Sequence, residues 1–243
     1  MIEKISQGEE SIMKGAFKHV ALFTENPDRL LDFYQKNLGF SVIHRSKTGS
    51  LYTTDGWIMY AMLKKREQSE ARWIGYDHFG FHVDDMDEAK KRVTRALPDC
   101  RWGQRPQDGR YAEYRFLDMN GHPVDVSVEG FRTKDDLNPP TVRHVAIEAS
   151  DPSATAAFYQ KAFEMKEIGR AENHVMLSDG TVSVDFVKHS GAGSCQVQFM
   201  GVQVKDPANV AKAFPRSKAL GDGKYEVEDI DGNTLQLAEQ WPA

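Results

Sequence analysis

The chain has 243 residues, 40% of them apolar and 28% charged, with a net charge of −5. That is the composition of a folded globular protein with room for one large domain or two of ordinary size. No apolar run is long enough for a membrane-spanning helix, and Lys and Arg are scattered rather than gathered into the basic patch that nucleic acid demands. Membrane and nucleic-acid partners are therefore not expected, and a small molecule is. Cys100 and Cys195 fall in different halves and match no metal or redox spacing, as free thiols in a reducing compartment would.

Residues 1–16, MIEKISQGEESIMKGA, mix charges of both signs without the apolar core of a secretory signal. They read as a tail or an added strand, and a cytoplasmic location is the expectation. KHVALFTENPDRLLDFYQK, from Lys18 to Lys36, predicts a strand, an Asn-Pro-Asp helix start and a helix. LYTTDGWIMYAML then predicts a hairpin around Asp55-Gly56. HFGFHVDDMDEAKKRV, from His78, predicts a second strand and helix, and RFLDMNGHPVDVSV a second hairpin around Asn120-Gly121. The polar stretch FRTKDDLNPPTVR separates these two units from the second half of the chain. RHVAIEASDPSATAAFYQK, from Arg143 to Lys161, repeats the first opening, and VMLSDGTVSVDFV supplies the third hairpin. FMGVQVKDPANVAKAF aligns with the His78 segment through Gly80 and Gly201, and YEVEDIDGNTLQL closes the fourth unit. The turn pairs read as turn chemistry alone, and the Phe-Tyr of each FYQK as core packing.

Four strand-helix-strand units, with KHVAL followed by FYQKNLGF, HFGFHVDD, and the strand-turn-strand LDMNGHPVDVSV, resemble the vicinal oxygen chelate superfamily of glyoxalase I, fosfomycin-modifying enzymes, bleomycin-binding proteins and extradiol dioxygenases. The resemblance runs from Phe17 to Glu239. It implies an α+β fold of four βαβββ modules paired into two domains, each an incomplete barrel around a pocket. Residues 1–16 would be the tail, 17–131 a metal-binding domain, 132–141 the linker and 142–243 a degenerate second domain.

In that family, metal ligands open the first strand of a module or lie four residues after the hairpin glycine. Carried onto this chain, those positions are His19, Tyr60, His78 and Asp125 in the first half, and His144, Val184, Phe199 and Gln236 in the second. Two histidines and a carboxylate suit Fe(II), with Mn(II), Zn(II) or Ni(II) as other divalent candidates, and leave open sites for a substrate with adjacent oxygens. Strand alternation puts Asp125 on one face with Ser127 and Glu129, while Val124 and Val126 point the other way. Val184 and Phe199 offer no electron pair, so the second half should hold no ion. Asp125 stands where the family usually has Glu. Tyr60 replaces a fourth ligand, leaving open phenolate ligation, a pocket wall or a hydroxyl donor to substrate. His82 shares the His78 face by alternation and is a candidate proton carrier, and His122 is expected to face solvent. Arg115 falls where extradiol enzymes carry an acid-base tyrosine.

The resemblance implies an Fe(II) dioxygenase-like oxidoreductase, because extradiol enzymes too are four-module chains with metal in one domain, there usually the C-terminal one. It also admits a glyoxalase-type isomerase or lyase, a thiol transferase, or a metal-free binder of the bleomycin-resistance type. A homodimer is a further expectation, and this architecture leaves open whether modules are exchanged between its chains.

Overall fold

A computed structural model describes residues 15–66, 73–106, 112–130, 132–191 and 196–243. Cys195 and most of the expected tail, residues 1–14, lie outside the described residues. The first half runs β1 (Ala16–Thr24), α1 (Pro27–Leu38), β2 (Ser41–Arg45), β3 (Leu51–Thr54), β4 (Met59–Lys64), β5 (Gly75–His82), α2 (Met86–Ala96), β6 (Gly103–Gln104), β7 (Tyr114–Leu117) and β8 (Pro123–Ser127). The second repeats it as β9 (Thr141–Ala149), α3 (Pro152–Phe163), β10 (Lys166–Ala171), β11 (His174–Ser178), β12 (Ser183–Lys188), β13 (Val197–Gln203), α4 (Pro207–Ala211), β14 (Arg216–Gly221), β15 (Lys224–Glu228) and β16 (Thr234–Ala238). Each unit is thus βαβββ, and its last strand returns parallel to its first. Units join in pairs by the antiparallel contacts β1–β5 and β9–β13, giving two open mixed sheets of eight strands with β1/β5 and β9/β13 at their centres.

Local chemistry dictates these elements. Asn26, Asp85, Asp151 and Asp206 each accept the amide three residues on, at 2.9–3.1 Å, and so cap the four helices. Alternation in β1 sends Val20 and Leu22 to the helix-covered face and leaves His19 and Ala21 on the other. The helix-covered faces of both sheets share one core, in which Phe81 stacks on Phe163 at 4.2 Å and Phe33 meets Phe214 edge-on at 5.1 Å. α1 ends on Gly39 in the left-handed region, whereas α3 ends there on Glu164 at φ 55°, a conformation costing about 1 kcal/mol for a residue with a β-carbon. The Glu164 carboxylate pairs with Arg92 of α2 across the two halves.

The hairpin aspartates do more than shape turns, a correction to their expected role. In each turn one carboxylate oxygen accepts two turn amides, as Asp55 Oδ1 does from Trp57 and Ile58 at 2.8 Å. The other oxygen reaches across the molecule. Asp55 accepts the Val142 amide at 2.6 Å, and Asp179 accepts the Phe17 amide at 2.7 Å. Asp118 accepts the Tyr159 hydroxyl, and Asp229 the Tyr34 hydroxyl, each at 2.9 Å. Burial pushes both phenols well above the usual tyrosine range, which keeps them as donors. The FYQK tyrosine of each half therefore clasps a hairpin of the other, and that reciprocity accounts for the repeated phrase. His122, expected at the surface, is 4% exposed and bonds Asp118 at 3.0 Å, because its hairpin docks on α3. Among the described residues no helix is long and apolar enough to cross a membrane.

Candidate metal centre and cavity

On the uncovered face of the first sheet, the register places Met59, His19, Gly80, Asp125 and Arg115 in one row across β4, β1, β5, β8 and β7. His78 lies on the same face of β5, beside Ala21. Gly80 is what lets the row close. A β-carbon there would sit 2.6 Å from the Asp125 carbonyl oxygen and closer still to the His19 ring, so only glycine allows that imidazole to cross β5 toward the carboxylate. His78 Nε2 stands 3.3 Å and His19 Nε2 3.7 Å from Asp125 Oδ2. All three residues are buried, and one ligand atom from each lies within 4.8 Å of the other two.

A bulge opposite Ala21 and Leu22 re-aims the chain just before His78. Tyr76 turns into the core and donates its hydroxyl to the Thr234 carbonyl at 2.8 Å, while Asp77 stays with the cavity and accepts His78 Nδ1–H at 2.5 Å. With Nδ1 donating to Asp77, Nε2 is the ring nitrogen that faces Asp125. Burial depresses His19 well below the ordinary histidine value, only partly opposed by Asp125. Burial also pushes the Asp125 carboxyl upward, but His78 and Arg115 outweigh it and hold the group well below the usual carboxylate range. Two imidazoles and a carboxylate thus converge on one point, and two imidazole nitrogens with one carboxylate oxygen at this separation are a donor set that fits a divalent metal. Arg115 binds both Asp125 oxygens, at 2.5 and 3.0 Å, leaving Oδ2 a further lone pair for such an ion.

Above this floor is a cavity of about 390 Å³ whose walls include Phe23, Tyr52, Met59, Ala61 and Leu63. The sequence-predicted residues divide. His19, His78, Asp125 and Arg115 come together here. Tyr60 does not: it pairs with Val20, faces the core, is fully buried and meets the Tyr34 hydroxyl at 3.1 Å. The reason is turn length, since His19 pairs with Met59, three residues after Gly56, whereas Gly80 pairs with Asp125, four after Gly121. Among the described residues, the phenol that lines the cavity is instead Tyr52, from β3. His82 is also displaced. It lies at the far end of β5, its Nε2 3.1 Å from the Val128 carbonyl, and borders a separate cavity beside Lys18 and Arg132. Asp77 and Tyr52 were missed, although the Asp77-His78 doublet was a readable signal.

The second sheet repeats the row as Ser183, His144, Gly201 and Gln236, so Ser183 rather than Val184 is the counterpart of Met59. Here Trp241 from the C-terminal segment lies against the face, its indole stacked on His144 at 4.7 Å and 6°, over Gly201. His144 Nδ1 is 2.9 Å from Ser183 Oγ, and burial lowers its pKa to about 3. The chain's own indole thus covers, on the second sheet, the face whose counterpart on the first sheet borders the cavity.

The family model described as the Glyoxalase/Bleomycin resistance protein/Dioxygenase superfamily matches residues 16–126 and 141–237. No curated protein matches the sequence. Among solved structures, the 2,3-dioxygenase LapB from Pseudomonas sp. KL28 superposes with a TM-score of 0.74 over 95% of both chains at 13% identity. Homoprotocatechuate 2,3-dioxygenase from Arthrobacter globiformis gives 0.68 over 92% of this chain and 79% of its own at 12% identity. A Mn(II)-bound glyoxalase from Novosphingobium aromaticivorans gives 0.68 over 93% and 82%, also at 12% identity. At such identities the likeness establishes the fold.

Proposed function

Because the chain belongs to the glyoxalase/bleomycin resistance protein/dioxygenase superfamily, we propose that its first half is a metal-dependent oxidoreductase of the extradiol-dioxygenase type, acting on a small substrate with adjacent oxygens. His19 Nε2, His78 Nε2 and Asp125 Oδ2 would hold the ion, Fe(II) foremost. The observation that carries this reading is the convergence of those three buried donors on the floor of one cavity. When bound, a divalent ion supplies charge that draws paired oxygens and, as iron, an electron source for dioxygen.

The chain's own residues do the rest. Asp77 fixes the His78 tautomer, and Arg115 fixes the Asp125 carboxylate. Phe23, Met59, Ala61 and Leu63 exclude water and receive a planar ring. Arg115 keeps its proton at any physiological pH and cannot serve as the acid-base group. Tyr52 takes that task at a substrate oxygen. A second reading, glyoxalase-type isomerisation, is favoured by the Asp77 carboxylate in the cavity wall, where a base for carbon acids could act.

Metal analysis and an oxygen electrode test the proposal. Protein loaded anaerobically with Fe(II) should hold one equivalent and consume oxygen with a panel of catechols. Tyr52→Phe should keep the iron and lose about 10²-fold or more in turnover. One equivalent of iron with no oxygen uptake, together with conversion of a hemithioacetal, would replace the dioxygenase reading by the isomerase.

A further inference from the structure

Resting on the metal reading above, we infer that Ala61 is a specificity-determining residue: it stands where the symmetry of the first sheet would put a fourth ligand, and the adjacent oxygens of the substrate take that place. Register carries the argument. His19 lies seven residues before the helix cap Asn26, and His78 seven before the cap Asp85, so the two modules align His19 with His78 and Ala21 with Gly80. In the antiparallel β1–β5 pair, His19 stands opposite Gly80 and Ala21 opposite His78. Exchanging the modules therefore maps one pair onto the other, as a two-fold axis between β1 and β5 would. The next strands outward obey the same axis, with Asp125 of β8 paired to Gly80 and Ala61 of β4 paired to Ala21. Ala61 is thus the mate of Asp125, and offers a methyl group where its mate offers a carboxylate.

The second sheet keeps the same frame. There Gly201 pairs with Gln236 and Ala146 with Asp185, so Asp185 occupies the place of Ala61. Its carboxylate meets His174 Nδ1 at 2.9 Å within an unbroken strand, and the fold therefore accepts an acid at this position. In the first sheet the three donors are gathered toward β8. His78 and His19 Nε2 lie 3.3 and 3.7 Å from Asp125 Oδ2, and His19 reaches there because Gly80 has no side chain to bar its ring. The side turned to β4 is lined by Met59, Ala61 and Leu63, which alternate with the core residues Tyr60 and Met62 and border the cavity. A divalent ion held by three protein donors keeps positions for a substrate. The small side chain of Ala61 leaves space beside β4 for two oxygens and the ring that bears them, whereas a carboxylate there would claim one of those positions for the protein.

Two measurements on the whole chain test this: Mn(II) affinity by competition against a chromophoric chelator, and catechol affinity of the Mn(II) form by anaerobic calorimetry. In Ala61→Glu the added methylene lets the carboxylate pass the Ala21 methyl, and this variant should hold Mn(II) at least about tenfold more tightly while binding catechol at least about tenfold more weakly. Ala61→Leu supplies bulk and no ligand. It should keep Mn(II) affinity within about threefold of the wild type and still weaken catechol about tenfold or more. If circular dichroism shows the glutamate variant unfolded, the leucine variant decides alone. Unchanged Mn(II) affinity in folded Ala61→Glu would put Ala61 out of the ion's reach and overturn the inference with the metal site standing. Catechol binding at wild-type strength in either variant would overturn it equally, by moving the substrate to another side of the ion. Wild-type protein that takes up no Mn(II) would overturn the metal reading instead; the glutamate variant titrated beside it then decides the two-fold placement, which stands if that variant binds the ion and falls if it does not.

Discussion

Asp77 shows how much a single inserted residue can do. Without the bulge before His78, strict alternation would carry Asp77 to the core side of β5, and the imidazole would lose the 2.5 Å acceptor that sets its tautomer. A carboxylate behind a ligating histidine raises the basicity of the ligating nitrogen, and Asp77 is placed for that task. Asp77→Asn keeps the shape and removes the charge, and the amide can even present N–H to Nδ1 and invert the tautomer. Metal affinity, measured by competition against a chromophoric chelator, should fall about 10–100-fold with unchanged circular dichroism. An unaltered dissociation constant would show that the Asp77 contact is ornamental to the ion. Arg115 acts on the opposite ligand in the opposite sense, since its positive charge lowers the proton affinity of Asp125 and also its attraction for a cation. The centre is therefore tuned from both sides.

At the scale of elements, the hairpins are the joints of the molecule. Tyr159 is fully buried and donates to Asp118, which is 5% exposed, so Tyr159→Phe leaves a buried carboxylate oxygen with one partner fewer. Urea unfolding should register a loss of about 1.5–3 kcal/mol, with metal content unchanged, because the clasp lies on the helix-covered face. A loss under about 0.5 kcal/mol would mean that His122, the neighbouring donor to the same oxygen, carries the contact alone. These joints also mark where sequence reading stopped. Strands, helix starts and four hairpins were legible because alternation, Asn/Asp-Pro caps and Asp-Gly turns are local signals. Register was not. Asp55-Gly56 and Asp118-Met-Asn-Gly121 look like variants of one turn, yet they deliver the paired residue three and four positions after glycine. One residue of difference flips the face, placing Tyr60 in the core and Met59 at the cavity. The clasp between FYQK and the opposite hairpin was illegible for a related reason: its partners lie 41 and 195 residues apart, and no local signal joins them.

At the scale of the whole molecule, two copies of one architecture have been put to opposite uses. The first sheet gathers ionisable donors beneath an open cavity, and the second fills the same face with Trp241 stacked on a histidine whose proton affinity burial lowers. That filled site carries its own signature in pH. His144 has a folded pKa of about 3 against 6.5 for the free side chain, so above pH 6.5 both states are neutral and stability is intact. As pH falls below 6.5 the unfolded chain binds a proton that the folded chain refuses, and stability declines until about pH 3. Between pH 7 and 5 that one group should account for about 2 kcal/mol. His144→Gln retains a polar partner for Ser183 and cannot titrate. Urea midpoints of metal-free wild type and variant, compared at pH 7 and pH 5, should show the wild type losing more by roughly that amount, although the variant starts from lower stability at pH 7. His19, depressed in the same direction, is present in both proteins and cancels in the comparison. Parallel losses in the two proteins would mean that His144 protonates in place, by lifting Trp241 away, and that the second half opens at mild acidity rather than resisting it.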